Sequence, residues 1–170
     1  MCFVFRAFFG LFAVCLVAAN SIPAIAGAAS YDLSGRVQIT KINDGDSLRS
    51  GTLRIRLFGI DAPELKQECK DQNGEIWNCG IAAQRQLVAL IGTEKELQCS
   101  LRDVDRYGRL IMQCFKGSTD IGAAMVQSGH ALAYRHFSDL YIADEDQAKT
   151  AQKGIWRGIF VPPWEWRRQN

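Results

Sequence analysis

The sequence carries almost no excess of charge: 20 Lys and Arg against 18 Asp and Glu leave +2 over 170 residues. That balance excludes a strongly basic, sequence-blind coat for nucleic acid. Recognition of a polyanion would have to come from a local cluster. None of the six cysteines is paired at C-x-x-C spacing, and neither histidine, His130 or His136, stands near one, so a zinc ribbon is excluded. The main apolar run, residues 7–19 (AFFGLFAVCLVAA), falls short of the roughly 20 residues that a membrane-spanning helix needs. There is no internal repeat. What remains is 48% hydrophobic and 22% charged residues, which fits a globular chain and excludes a coiled coil, a collagen-like repeat or a disordered tail. The length suits one domain with a sizeable core.

Arg6 is followed by no charged residue until Asp32, and the apolar run between them ends in small residues, Ala24-Ile25-Ala26, with Ala26-Gly27-Ala28 as a second exit. A positive head, a short apolar core and a small-x-small site read as a secretory signal peptide over residues 1–26, cleaved after Ala26 or Ala28. The alternative is an uncleaved N-terminal membrane anchor. Cys15 lacks the small residues of a lipoprotein acceptor before it. The expected location is periplasmic or secreted. Cleavage removes Cys2 and Cys15 and leaves Cys69, Cys79, Cys99 and Cys114, an even set that in an exported chain points to disulfides.

Strands come first. Residues 37–42 (VQITKI) alternate and run into the polar turn Asn43-Asp44-Gly45-Asp46. Residues 48–50 and 52–60 read as a hairpin, with Leu53, Ile55 and Leu57 on one face and Arg54 and Arg56 on the other. Gly59 suggests a bulge and Pro63 ends the arm. Residues 65–80 are polar and loop-like, closed by Cys69 and Cys79. A helix is predicted over 81–91, stopping at Gly92. Residues 96–100 and 110–115 flank Asp105-Arg106-Tyr107-Gly108-Arg109 as a hairpin, with Cys99 and Cys114 nearly symmetric about its turn. Of the three possible pairings, this favours 69–79 and 99–114. A second helix is predicted over 119–128, capped by Ser118 or Thr119, and a brief extended piece over 131–134. A third helix is predicted over 139–153, capped by Ser138, with its acids early and its lysines late. The tail, residues 161–170, is aromatic and basic. Short strands with local antiparallel pairing indicate an α+β fold with a small closed barrel, of which the OB fold is one solution.

The chemistry lies in three segments: Asp44-Gly45-Asp46-Ser47, Arg56-Leu-Phe-Gly-Ile-Asp61-Ala62-Pro63-Glu64, and Asp105-Arg106-Tyr107-Gly108-Arg109. Asp46, Asp61 and Glu64 are hard oxygen donors, suited to Ca²⁺ or Mg²⁺ rather than zinc. Arg56 and Arg109 present permanent charge in a fork matched to phosphate. Carboxylates for a metal, arginines for a phosphate and one spare acid describe phosphodiester hydrolysis.

In that order and spacing, Asp-Gly-Asp-Ser, Arg-x4-Asp-x-Pro-Glu and Asp-Arg-Tyr-Gly-Arg resemble the motifs of the thermonuclease (staphylococcal-nuclease-like) family, over about residues 37–156. The resemblance implies a five-stranded OB-fold β-barrel with three helices, placed at residues 35–160. It also implies a secreted Ca²⁺-dependent nuclease that hydrolyses DNA and RNA and leaves 3′-phosphate ends. Matched position by position, Asp46 and Asp61 take the place of the family's Ca²⁺ carboxylates, and Ala62 that of a ligand acting through its backbone carbonyl. Glu64 matches the proposed general base, and Arg56 and Arg109 the phosphate-binding arginines. Asp105, Arg106 and Tyr107 match a nucleotide-contacting turn, and Tyr134 a base-stacking tyrosine. Two features depart from the staphylococcal enzyme: Ala62 stands where that enzyme has threonine, and the cysteine-closed loop 65–80 follows Glu64, where it can alter substrate access. The four cysteines are absent from that enzyme.

The competing readings are a non-catalytic OB module that stacks single-stranded nucleic acid on Tyr107, Tyr134 and the tail tryptophans, and a disulfide-bonded structural domain. The second leaves the Asp, Glu and Arg cluster unexplained. His130 and His136 read as structural or surface residues. Lys149, Lys153 and Arg157 read as a solvated helix face, and Trp156, Trp164 and Trp166 as a staple for the C-terminus. No protein partner is implied, and a monomer is expected.

Overall fold

The structure, a computed structural model, describes residues 33–170. The leader expected over residues 1–26 lies outside the described residues. In chain order the strands are β1 (Ser34–Gln38), β2 (Lys41–Ile42), β3 (Ser47–Ser50), β4 (Leu53–Leu57), β5 (Ile60–Asp61), β6 (Cys69–Lys70), β7 (Ile76–Trp77), β8 (Glu96–Val104), β9 (Leu110–Lys116), β10 (Thr119–Asp120) and β11 (Leu132–Ala133). The helices are α1 (Cys79–Ile91), α2 (Ile121–Gln127), α3 (Ile142–Thr150) and α4 (Pro163–Gln169), with a 3₁₀ turn at Gly154–Arg157.

The main sheet runs β1-β8-β9-β4-β3-β2, and only the β4–β9 contact is parallel within that path. β1 and β2 are one run of chain, interrupted at Ile39 and Thr40. Val37 pairs with Leu97 at one end of the path and Ile42 pairs with Leu48 at the other. The same segment thus meets both ends of the sheet and curls it into a barrel. Counted this way the barrel has the five strands of the predicted OB fold.

Alternation fills it. Ile55 and Leu57 of β4 point inward with Leu48, Leu97 and Met112, while Leu53, expected on the same face, projects past the barrel and is exposed. Helix α1 lays Ala83, Leu87 and Ile91 on this core, and α2 adds Ile121, Met125 and Val126. Each large aliphatic side chain so buried contributes about 1.5–3 kcal/mol relative to exposure. A second, smaller cluster (Cys69, Cys79, Leu132 and Ile155, covered by Trp77, Trp156, Phe160 and Trp164) lies under the C-terminal segment.

Several boundaries differ from those predicted. α1 starts earlier, because Asn78 caps it by accepting from the Ile81 amide. α2 is capped by Asp120, not by Ser118 or Thr119. The Asp120 carboxylate accepts from the Ala123 amide and also from Tyr141 and Gln113. Thr119 is instead paired in β10. α3 begins at Ile142 rather than 139: Ser138 Oγ takes only the Leu140 amide in a local turn, and Tyr141 drops into the core to reach Asp120. The 65–80 loop holds a two-rung hairpin, β6–β7. Its Lys70 exchanges backbone hydrogen bonds with Ile159, which ties the loop to the C-terminal segment. The largest difference is α4, a fourth helix formed inside the tail. Among the described residues no helix is long and apolar enough to cross a membrane.

Candidate active site

The Asp-Gly-Asp turn is built by its first acid. Asp44 Oδ1 accepts from the amides of Asp46 (3.0 Å) and Ser47 (2.7 Å), an arrangement typical of Asp in turns. Gly45 lets the turn sit down on α1: a Cβ there would stand 2.6 Å from the Ala62 Cβ and 2.8 Å from that of Ala83. The Asp46 carbonyl then accepts from Leu57, which joins the turn to β4. Burial, reinforced by the charge of Asp46, pushes the Asp44 carboxyl up to about 6.

Opposite the turn, β4 places Arg56 in register with Ser47, one residue beyond Asp46. Its guanidinium bridges two carboxylates, with Nη1 2.6 Å from Asp46 Oδ1 and Nη2 2.6 Å from Asp61 Oδ1. The side chains of Asp46 and Asp61 are 4% and 0% exposed and that of Arg56 13%. Burial works against the charge of Arg56, but the two aspartates outweigh it and hold the guanidinium protonated. Asp46 Oδ2 accepts from the Ala62 amide at 2.8 Å. The pairing of β5 with β11, Asp61 opposite Leu132, fixes the far side of the cluster.

Glu64 follows in a turn held by Gln67, a fully buried polar side chain. Gln67 Oε1 accepts from the Glu64 amide (3.2 Å), its own amide donates to the Glu64 carbonyl (2.7 Å), and Nε2 donates to the Val161 carbonyl (2.6 Å). The Glu64 carboxylate meets a residue that sequence reading did not single out. Arg167 Nη1 lies 2.8 Å from Glu64 Oε1 and 3.0 Å from Asp61 Oδ1, and Nη2 lies 2.8 Å from Asp61 Oδ2. The only sequence signal for Arg167 was the basic, aromatic character of the tail.

Arg109 stands one residue before β9, whose parallel pairing sets Ile111 beside Arg56. Its Nε donates to Asp105 Oδ2 at 2.6 Å, while Asp105 Oδ1 accepts from the amides of Tyr107 and Arg109. Asp105 therefore holds the turn together. Tyr107 is exposed, with the guanidiniums of Arg106 and Arg109 4.8 and 5.7 Å from its ring centre. Tyr134 lies just past β11. Its ring stacks on Trp164, centroids 5.8 Å apart and planes 10° apart, so one face is covered from the tail.

Thus Asp46, Asp61, Ala62, Glu64 and Arg56 come together in one cluster, Arg109 with Asp105, Arg106 and Tyr107 forms a neighbouring turn, and Tyr134 is tied through its amide to the Gly59 carbonyl between Arg56 and Asp61. Cys69 bridges Cys79, and Cys99 bridges Cys114 directly across the β8–β9 ladder. Among the described residues no group of three or more His, Cys, Asp or Glu side chains is gathered closely enough to hold a metal in this arrangement. The donor chemistry nonetheless fits a hard cation: two buried carboxylates already share a positive group, with a third acid beside them and no nitrogen or sulfur ligand.

Residues 54–158 match the family described as "Staphylococcal nuclease homologue". The chain is 33% identical over 172 residues to a protein named micrococcal nuclease from Shigella flexneri, covering 91% of each. It is 32% identical over 116 residues to succinoglycan biosynthesis protein ExoI of Rhizobium meliloti, covering 67% of this chain and 61% of that protein. It is also 32% identical over 128 residues to a probable staphylococcal-like nuclease of Oryza sativa subsp. japonica, covering 74% of this chain and 31% of the other.

Proposed function

Because the chain belongs to the staphylococcal nuclease family, we propose that it is an exported Ca²⁺-dependent nuclease that hydrolyses phosphodiester bonds of DNA and RNA and leaves 3′-phosphate ends. One observation carries this reading: Arg56 bridges Asp46 and Asp61, and Arg167 links Asp61 to Glu64, so the residues proposed for phosphate, metal and water lie in one hydrogen-bonded cluster. Asp46, Asp61 and the Ala62 carbonyl would hold the ion, which would supply polarisation of a phosphoryl oxygen. Glu64 orients a water for in-line attack on phosphorus and receives its proton. Arg56 and Arg109 stabilise the negative charge that grows on the equatorial oxygens. The bond broken is the one to the 5′ oxygen.

Asp105 keeps Arg109 aimed, and Arg106 and Tyr107 offer an arginine-flanked exposed ring on which a base can stack. Tyr134, stacked on Trp164 and met by Phe137, is the base-stacking tyrosine of this reading. Residues 35–160 form the catalytic domain, and residues 161–170 are appended to it. Export rests on the signal-like residues 1–26 and on the two disulfides, which suit an oxidising compartment. The protein acts as a monomer.

The test is degradation of plasmid DNA and of RNA with Ca²⁺, with Mg²⁺ and with excess chelator. Cleavage is expected with Ca²⁺ alone, with phosphate on the 3′ ends of the products. Asp46→Asn and Asp61→Asn are expected to raise the Ca²⁺ requirement. Full activity in chelator, or equal rates with Mg²⁺, would overturn the metal assignment. Binding of single strands without cleavage would mark a non-catalytic module.

A further inference from the structure

The C-terminal helix brings a second guanidinium into the acid cluster, and it engages the acids differently from the first. Arg56 rises from β4 beneath Asp46 and Asp61 and is itself almost buried. Arg167 arrives from the solvent side, on α4. It grips both oxygens of Asp61 and, through the same Nη1, reaches Glu64. The helix that carries it is anchored independently. Trp164 stacks on Tyr134, and the Val161 carbonyl just ahead of the helix accepts from buried Gln67. The fork geometry is the one that matches arginine to carboxylate most closely.

We infer that Arg167 is a tethered cation that competes with the divalent ion for Asp61, so that metal loads only when this guanidinium lets go of that carboxylate. The inference rests on the proposal that Asp46 and Asp61 hold the ion. Three carboxylates (Asp46, Asp61, Glu64) face two guanidiniums: Arg56 takes only Oδ1 of Asp61, while Arg167 takes both oxygens and so covers the one that the ion would need. Arg56 can stay while an ion binds through Asp61 Oδ2, whereas Arg167, which holds that oxygen, has to leave as the ion arrives. Because Trp164 and the Val161–Gln67 bond hold the helix, release of the side chain suffices and the tail need not unfold. Apparent metal affinity is then reduced by the fraction of molecules in which Arg167 is docked.

The test is calorimetric titration of Ca²⁺ into the oxidised protein without nucleic acid, for wild type, Arg167→Lys, Arg167→Ala and, as a site control, Asp61→Asn. Affinity is expected to rise in the order wild type, Arg167→Lys, Arg167→Ala, with at least a fivefold gain at the alanine. Lysine keeps the charge but loses the fork, so an intermediate value separates competition from a merely structural effect. In wild type, NMR should show the Arg167 guanidinium protons losing their protection as Ca²⁺ saturates, and this measurement decides the matter alone if a variant fails to fold. Equal or weaker binding by a folded Arg167→Ala, or a guanidinium still protected at saturation, would overturn the inference and leave the metal site standing. If neither wild type nor Arg167→Ala binds Ca²⁺, the metal site fails and the inference goes with it.

Discussion

Gly80, in the first turn of α1, lies hard against the backbone of Glu64: a Cβ at position 80 would stand 1.8 Å from the Glu64 carbonyl oxygen and 2.6 Å from its carbon. Cys79, the neighbouring residue, is bridged to Cys69. Disulfide, helix start and proposed base therefore meet at one point, and neither clashing atom is the tip of a flexible side chain.

Gly80→Ala is accordingly expected to push the Glu64 turn outward. Displacing a catalytic group by about an ångström costs on the order of 10²-fold in rate, so turnover should fall by at least about tenfold in protein that still folds and keeps its 99–114 bridge. Steady-state kinetics with Ca²⁺ saturating, alongside circular dichroism, checks this. Wild-type turnover in a folded variant would show that the contact does not set Glu64.

Much of this arrangement was legible in the chain. The barrel was visible because alternation along 37–42 and 53–57 and the hairpin about Asp105–Arg109 are local signals. The gathering of Arg56, Asp46 and Asp61 followed from motif order. The Asp120 cap was hidden because Ser118 and Thr119 are equally good caps by type, and only the tertiary partners Tyr141 and Gln113 select the carboxylate. The start of α3 moved for a similar reason, since burial of Tyr141 outweighs a Ser138 cap. Arg167 was out of reach. Its contacts with Asp61 span 106 residues, and the register of a seven-residue helix is set by Trp164 against Tyr134 rather than by its own pattern.

The Arg56 bridge is expected to matter for stability as well as for rate. Arg56→Met keeps the length and removes the charge, which leaves Asp46 and Asp61 buried beside one another. Breaking a buried pair from one side costs about 3–5 kcal/mol, and here the lower end applies because Arg167 remains on Asp61. Added Ca²⁺ should recover part of the loss by supplying the missing positive charge. Urea unfolding with and without Ca²⁺ measures both effects. A variant as stable as wild type in chelator would show that the two carboxylates do not depend on this guanidinium.

The two disulfides should separate in their effects. They close loops of 10 and 15 residues, each worth roughly 3 kcal/mol in the chain-entropy account. Non-reducing peptide mapping is expected to recover 69–79 and 99–114. Replacing Cys99 and Cys114 together by Ser should lower the unfolding midpoint and leave turnover of the folded protein near wild type, because that bridge lies within the β8–β9 ladder. Replacing Cys69 and Cys79 should lower both, since Cys79 adjoins the Gly80–Glu64 contact. Equal losses of turnover in the two double variants would argue against any such coupling.

Asp105 and Arg109 offer a prediction whose sign with pH can be worked out. Desolvation pushes the Asp105 carboxyl up, but the amides of Arg109 and Tyr107 and the Arg109 side chain together outweigh it and hold the group below the usual range. A carboxylate with a depressed folded value stabilises its turn at every pH above the ordinary value of about 3.9, and that contribution is lost as pH falls through the lower folded value. The amides of Tyr107 and Arg109 should therefore stay protected and unshifted from neutral pH down to about 4 and change only below it. Asp105→Asn keeps the shape and removes the charged acceptor for Arg109 Nε, so it should lower turnover with only a modest change in stability, as expected of a pair still partly open to solvent. Arg109→Lys should be more severe, on the order of 10²-fold, because it loses both the Nε bond to Asp105 and the fork toward phosphate. If the lysine variant keeps most of its turnover at saturating Ca²⁺, a point charge is enough at this position and the Asp105 contact has no part in aiming it.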